Sequence, residues 1–278
     1  MLKTRVITAV CLFAAVSFAL FYLPPVGWLM FVTGVAAIAA WEWGALMRLG
    51  GSARIFLGVM LVILCALFAA VEPAAVGLGE GFSESAWRVG ALLYLPAAVF
   101  WLLVVPIWLQ RRWVLSHAGV GLATGAVLIL PAWLALVQLR QVGALALLAI
   151  MGVVWVADIG AYFAGRSLGK HKLAPNISPG KTWEGAIGGG VAVLAYGVSL
   201  AAKLPAILAG NLGLLLLTLV LLTAISILGD LFESMLKRQA GLKDSSKVLP
   251  GHGGVLDRID SLTSTLPLVA LLWLVTLR

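Results

Sequence analysis

The apolar residues of this chain fall into blocks of about 20 separated by short polar stretches, the length an α-helix needs to cross a hydrocarbon core ~30 Å thick. Of the 278 residues, 62% are hydrophobic and 11% charged, whereas a water-soluble domain carries roughly 25% charged residues to cover its surface. Lipid is therefore the solvent for most of this surface. The expected fold class is all-α, a polytopic integral membrane protein forming one transmembrane domain over residues 1–278. No soluble domain is left once the apolar blocks are removed.

Nine spans are expected, at roughly 6–23, 26–47, 55–71, 89–109, 117–137, 142–165, 183–202, 207–236 and 261–277. Residues 1–140 contribute N-terminal membrane helices, and residues 141–278 a catalytic half with cytoplasmic loops at 166–182 and 237–260. The first apolar run resembles a signal peptide behind Lys3 and Arg5. It is too long, however, and ends at Pro24 and Pro25 without a small-residue cleavage site, so it reads as a retained helix. Pro96, Pro106 and Pro131 fall inside spans and predict kinks. Cys11 and Cys65 both sit in apolar spans, without the spacing of a disulfide framework or a metal site.

The net charge of +8 could suggest nucleic acid, but its distribution follows membrane topology. With the N-terminus in the cytoplasm, 15 of the 19 Lys and Arg fall on inner segments, leaving Arg88, Arg140, Lys203 and Arg278 outside. That is the positive-inside rule, and no nucleic-acid partner is expected. The outer loop after the third span carries Glu72, Glu80 and Glu84; the other eight acids, Glu42, Asp158, Glu184, Asp230, Glu233, Asp244, Asp257 and Asp260, map near the cytoplasmic side. Chemistry should face that side.

Asp158 lies within the sixth span and Asp230 within the eighth, where a carboxylate costs about 2.5–3.5 kcal/mol on insertion scales. Asp230, Glu233, Ser234 and Lys237 recur at spacings of three and four and so share one helix face. A Glu233–Lys237 ion pair is the plain alternative to a catalytic role for Glu233. The loop RSLGKHKLAPNISPGKT offers Ser178, Lys181 and Thr182 as phosphate donors. It is not a Walker A loop, because Pro175 stands where the first Gly belongs and no strand is expected before it. Gly185 and Gly189 form a GxxxG pair assigned to helix packing.

The second loop, with its flanks, runs SMLKRQAGLKDSSKVLPGHGGVLDRIDSL from Ser234 to Leu262. Its Pro250-Gly251-His252-Gly253-Gly254 turn can present backbone N–H groups to an anion. Asp257 and Asp260 can face one site if the last helix has begun, and hard carboxylate oxygens suit Mg²⁺.

This segment closely resembles the signature of the phosphatidate cytidylyltransferases. Ser234, Lys237, Arg238, Lys243, Asp244, Pro250, His252, Gly253, Gly254, Asp257, Arg258 and Asp260 all match it, and upstream so do Asp158, Ala161, Tyr162, Gly165, Arg166, Gly169, Lys170 and residues 178–185. The first 140 residues match only as generic membrane helices. The resemblance implies transfer of CMP from CTP to phosphatidate, giving CDP-diacylglycerol and pyrophosphate, at the cytoplasmic face of a bacterial inner membrane. It implies Asp230 and Asp257 as Mg²⁺ ligands, with Asp158 as alternate and a second cation left open. Lys237, Lys243, Arg258 and Asp260 are the implied catalytic residues. Ser178, Lys181, Thr182, Ser234, Arg238, Asp244, His252, Gly253 and Gly254 are the implied substrate contacts, and a homodimer is compatible with all of this. A related CTP-dependent transferase acting on another lipid phosphate shares every physical argument. A transporter using Asp158 and Asp230 is disfavoured by the basic Gly-rich loops and by the lack of a repeat between the halves.

Overall fold

The computed structural model describes residues 2–201, 204 and 206–276, with side chains described from Val6 onward except at 206 and 207. Lys203 and Arg278, and the side chains of Lys3 and Arg5, used above for orientation, lie outside the described residues. The chain is a helix bundle: α1 Leu2–Tyr22, α2 Pro25–Leu46, α3 Gly51–Val71, α4 Glu84–Val89, α5 Ala91–Val99, α6 Val105–Arg111, α7 Ala118–Val142, α8 Ala144–Leu168, α9 Trp183–Ser199, α10 Ala206–Ala209, α11 Leu212–Ala240 and α12 Leu256–Thr276. Among the described residues seven helical segments are long and apolar enough to cross a bilayer, one of them Glu84–Arg111, composed of α4 to α6. The first and seventh expected spans are not among the seven: α1 is a 21-residue helix whose side chains are described only from Val6, and α9 is a Gly-rich 17-residue helix.

The expected kink in the fourth span is a π-turn at Phe100–Val104, where Val105 N–H reaches Phe100 O. Pro106 follows directly and cannot donate, so a widened turn re-satisfies the carbonyls it strands. The turn also presents Phe100 and Trp101, with Trp108 of α6, edge-on to Phe232 of α11, at centroid distances of 5.6, 5.9 and 5.4 Å. Phe232 precedes Glu233, so this aromatic cluster fixes the rotation of the helix that carries the acidic face.

The GxxxG expectation is met in geometry. A β-carbon at Gly189 would lie 2.7 Å from the Ala157 carbonyl oxygen, and one at Gly185 would lie 2.9 Å from that of Ala161. Backbone therefore packs directly on backbone where α8 crosses α9. Gly189→Val is expected to destabilise the protein by about 1–3 kcal/mol through overpacking, read as a lowered melting temperature in detergent; an unchanged melting temperature would show that the helices do not meet there.

Two boundaries and one element differ from expectation. α12 begins at Leu256 and α11 runs to Ala240, so the second loop proper is 241–255 and Asp257 and Asp260 are helical. α8 runs to Leu168, and the rest of the first loop is an antiparallel hairpin, β1 Lys172–Ala174 with β2 Ser178–Thr182, pairing Lys172 with Thr182 and Ala174 with Ser178. Strands of three and five residues carry no readable alternation, and Pro175-Asn176 lies at the corner between them. Gly180-Lys181-Thr182 thus lies on a strand, not on a phosphate-wrapping loop.

Candidate active site

β2 and α9 are joined by Thr182, whose hydroxyl accepts the Gly185 N–H at 3.1 Å and caps the helix. The cap fixes the strand-to-helix turn and so aims Lys181 inward, where its Nζ lies 2.6 Å from Asp230 Oδ2. One turn along α11, Ser234 donates to Asp230 Oδ1 at 3.1 Å. Lys181, Thr182, Gly185 and Asp230 help to wall a cavity of about 450 Å³ between α8, α9, α11 and β2, within the range of small-molecule sites. Asp158, Tyr162, Arg166, Lys181, Thr182 and Asp230 supply its polar lining; Gly165, Gly185 and Gly189 keep it open by lacking side chains.

Asp158 is exposed on the cavity wall, and Asp158, Asp230 and Asp260 interact electrostatically with one another. Lys181 and Arg258 act on Asp158 with the opposite sign. Three helices and a strand thus converge on one patch of alternating charge.

A second cluster adjoins the first through Lys237. Its Nζ lies 2.5 Å from Asp257 Oδ1 and 3.1 Å from Glu233 Oε1, and it also interacts with Asp260. The Glu233 contact is an ion pair without hydrogen-bond geometry, so both Glu233 oxygens are buried with no hydrogen bond among the described residues. Asp257 Oδ2 accepts Ser245 N–H at 2.9 Å and Gly254 N–H at 2.7 Å, and the Ser245 hydroxyl, whose one hydrogen it shares with Glu42 Oε2, lies 3.0 Å away. Among the described residues Oδ1 accepts a hydrogen bond from Lys237 alone and keeps lone-pair capacity. Gly253 adopts φ 84°, and a β-carbon there would stand 2.6 Å from Asp257 Oδ2. The two glycines after His252 are therefore required by the approach of backbone to a carboxylate of the same chain.

The remaining expected site residues spread around these clusters. Arg238, Lys243, Asp244 and Arg258 are exposed, and Ser178 is half-buried at the start of β2. His252 is half-buried, with its Nδ1 buried and unbonded among the described residues. Asp257 and Asp260 occupy adjoining faces: Asp257 turns to Lys237, while Asp260 is coupled to Asp230 and Asp158.

Sequence reasoning missed Glu42 of α2. It is fully buried and faces four donors of the loop 241–255 and the start of α12, one of which, the Ser245 hydroxyl, it shares with Asp257. The available signal was a lone acid in an otherwise apolar span, the same signal that singled out Asp158.

No group of three or more His, Cys, Asp or Glu side chains among the described residues is arranged as a metal cage. Mg²⁺ does not need one, because it is commonly held by one or two carboxylates, with substrate phosphates and water completing its shell. The cavity-facing Asp230 and the open lone pair of Asp257 Oδ1 fit that donor set.

The sequence pattern that defines the cytidylyltransferase family matches residues 3–276. The chain is 42% identical to a phosphatidate cytidylyltransferase of Pseudomonas aeruginosa, over 98% of this chain and 97% of that protein. It is 38% identical to the Haemophilus influenzae phosphatidate cytidylyltransferase, over 96% of each chain. A Brucella suis protein of the same name is 36% identical, over 97% of this chain and 92% of its own length. Lys181 pairs with Asp230, and Lys237 with Asp257, in a chain matched along nearly its whole length, and the chain belongs to the cytidylyltransferase family.

Proposed function

We propose that the protein is a Mg²⁺-dependent phosphatidate cytidylyltransferase. It transfers CMP from CTP to phosphatidate, releasing pyrophosphate, at the cytoplasmic face of a bacterial inner membrane. The observation that carries this reading is the cavity where Lys181 and Asp230 meet beside Asp158 at one end of an apolar bundle. Relatives of closely similar length bear the corresponding name.

In this reading a phosphatidate oxygen attacks the α-phosphorus of CTP, the bond to the bridging oxygen of the β-phosphate breaks, and pyrophosphate leaves with the electron pair. The second pKa of a phosphate monoester is about 6, so the nucleophile is largely ionised and needs little general-base help. The barrier lies in bringing two anions together, and charge neutralisation lowers it. Lys181, Arg166 and Arg258 border the cavity side, Lys237 and Lys243 the loop side, and Ser178, Ser234, Thr182 and the N–H groups of the His252-Gly253-Gly254 turn add neutral donors. Asp230 and Asp257 would hold Mg²⁺, with Asp158 and Asp260 close by as alternates; bound there, the ion would supply positive charge to the triphosphate.

We read the topology as nine spans with the N-terminus cytoplasmic, α1 and the shorter α9 crossing with the other seven. Contacts between helix ends support this alternation. Thr8 donates to Pro250 O, Arg48 to Gln239 O, and Gln239 to Trp113 O at one end of the bundle. At the other end Arg140 donates to Leu20 O and Leu23 O, and Gln141 to Ala75 O. Single cysteines at positions 172 and 247, in a variant lacking Cys11 and Cys65, are expected to label from the cytoplasmic side and those at 80 and 203 from the opposite side. Labelling of 172 and 203 from the same side would overturn the nine-span reading.

The substrate assignment is tested by offering purified protein CTP with phosphatidate or with another lipid phosphate, with and without Mg²⁺. CDP-diacylglycerol formed only with the cation supports it. Turnover confined to the other lipid would move the chain to the related CTP-dependent transferase.

A further inference from the structure

Glu42 has no place in the chemistry above, and the patterns that match the C-terminal half do not reach it. α2 spans Pro25–Leu46 in a bilayer-length helix, and Glu42 is its sole charged residue. Its carboxylate is fully buried, which is costly unless every lone pair is used. All four interactions go to a segment more than 200 residues away. Oε1 accepts the Ser246 hydroxyl at 2.6 Å and Val255 N–H at 3.0 Å; Oε2 accepts Leu256 N–H at 2.6 Å and the Ser245 hydroxyl at 3.1 Å.

Two of those donors precede the Pro250 turn and two follow it, so a single side chain clasps both ends of the loop. Val255 and Leu256 N–H are also unpaired donors at the start of α12, so Glu42 caps that helix from another element, where its negative charge is favoured. A β-carbon at Gly254 would lie 2.5 Å from Glu42 Oε1 and 2.0 Å from Ser245 Oγ, so the clasp leaves no room for any side chain there. The Ser245 hydroxyl, with one hydrogen, lies between Glu42 Oε2 and Asp257 Oδ2. Glu42 is thus one residue removed from the carboxylate whose Oδ1 faces Lys237.

We propose that Glu42 is the positioning residue of the active site. By clasping Ser245, Ser246, Val255 and Leu256, it fixes the rotation of the Asp257 carboxylate, so that Oδ2 is consumed by the loop and Oδ1 is turned to the site. It touches no substrate and acts through the loop. This gives the N-terminal half a function beyond embedding: α2 supplies the anchor on which the catalytic loop is built. The inference rests on the cytidylyltransferase reading of the site, and the parent protein, assayed alongside, separates the two. An inactive parent would undo that reading, while an active parent with indifferent variants would undo only this one.

The test uses full-length protein in detergent with Glu42→Gln, Glu42→Asp and Ser246→Ala. Glu42→Gln keeps the shape but puts an NH₂ group against donors. Per folded molecule, its kcat is expected to fall at least ~30-fold while KM for CTP changes less than ~threefold, the pattern of a misplaced catalytic group and not of lost substrate binding. Amide hydrogen exchange over 243–256 should quicken in the same variant without added Mg²⁺ or nucleotide, a readout independent of turnover. Glu42→Asp should recover part of both. Ser246→Ala removes one clasp bond and leaves every Asp257 bond, so it should fold normally and show the same two changes more weakly. If Glu42→Gln does not fold, Ser246→Ala and Glu42→Asp carry the test. Normal kcat per folded molecule in any variant with accelerated exchange of the loop, or unchanged exchange in all of them, would overturn the proposal.

Discussion

Asp257→Asn is expected to insert and keep its fold, at a melting temperature lowered by the broken contact to Lys237, and to lose at least ~100-fold in turnover per folded molecule, equivalent to roughly 2.7 kcal/mol of transition-state stabilisation. The amide keeps the carboxylate's shape and one oxygen. Placed with that oxygen at the Oδ2 position, it still accepts from Ser245 and Gly254, so the loop is retained. The NH₂ group then stands at the Oδ1 position, where it meets Lys237 and offers a divalent ion neither charge nor lone pair. If Asp257 were only a structural partner, the melting temperature would fall while the folded fraction kept near-normal specific activity. Both quantities are measured on one detergent-purified preparation, and a stable, fully active variant would remove Asp257 from the site.

Lys237→Met should do more damage, to stability as well as to activity. Lys237 is the cation between two carboxylates that are each 4% exposed, Glu233 and Asp257. Removing one partner of a buried ion pair costs about 3–5 kcal/mol because the charge left behind is uncompensated. The second substitution Glu233→Gln removes one of the stranded charges. The double variant is therefore expected to regain much of the lost melting temperature but none of the turnover, since the ammonium that faces the site is still missing. Recovery of turnover with stability would show that Lys237 serves only the fold.

The helix-face periodicity on α11 carried most of the site. The spacing that grouped Asp230, Glu233, Ser234 and Lys237 appears as two i, i+4 contacts, Ser234 to Asp230 and Lys237 to Glu233. What periodicity along one helix could not give was the partner across the bundle. Lys181 meets Asp230 from a strand 49 residues earlier, and only the hairpin with its Thr182 cap explains that approach. The hairpin itself was illegible because its strands span only three and five residues, too few for an alternation to show. Glu42 was visible as an acid but not as a clasp, because its donors lie on the far side of nine helical elements. Seven of the expected spans correspond to bilayer-length helical segments among the described residues, the eighth shifted to Leu212–Ala240. Span adequacy was not legible throughout: the seventh expected span forms a helix, α9, of 17 residues that ends at Ser199.

The central claim is that CTP gives up its α-phosphorus, with the cytidine, to a lipid phosphate. It is tested most directly by following two labelled forms of CTP, one at the α-phosphorus and one at the γ-phosphorus, with purified protein, phosphatidate and Mg²⁺. α-Label is expected in the organic phase as CDP-diacylglycerol and γ-label in the aqueous phase as pyrophosphate, in equal amounts, with both signals lost on removing either phosphatidate or the cation. γ-Label entering the lipid, or release of labelled phosphate without a labelled lipid product, would contradict it.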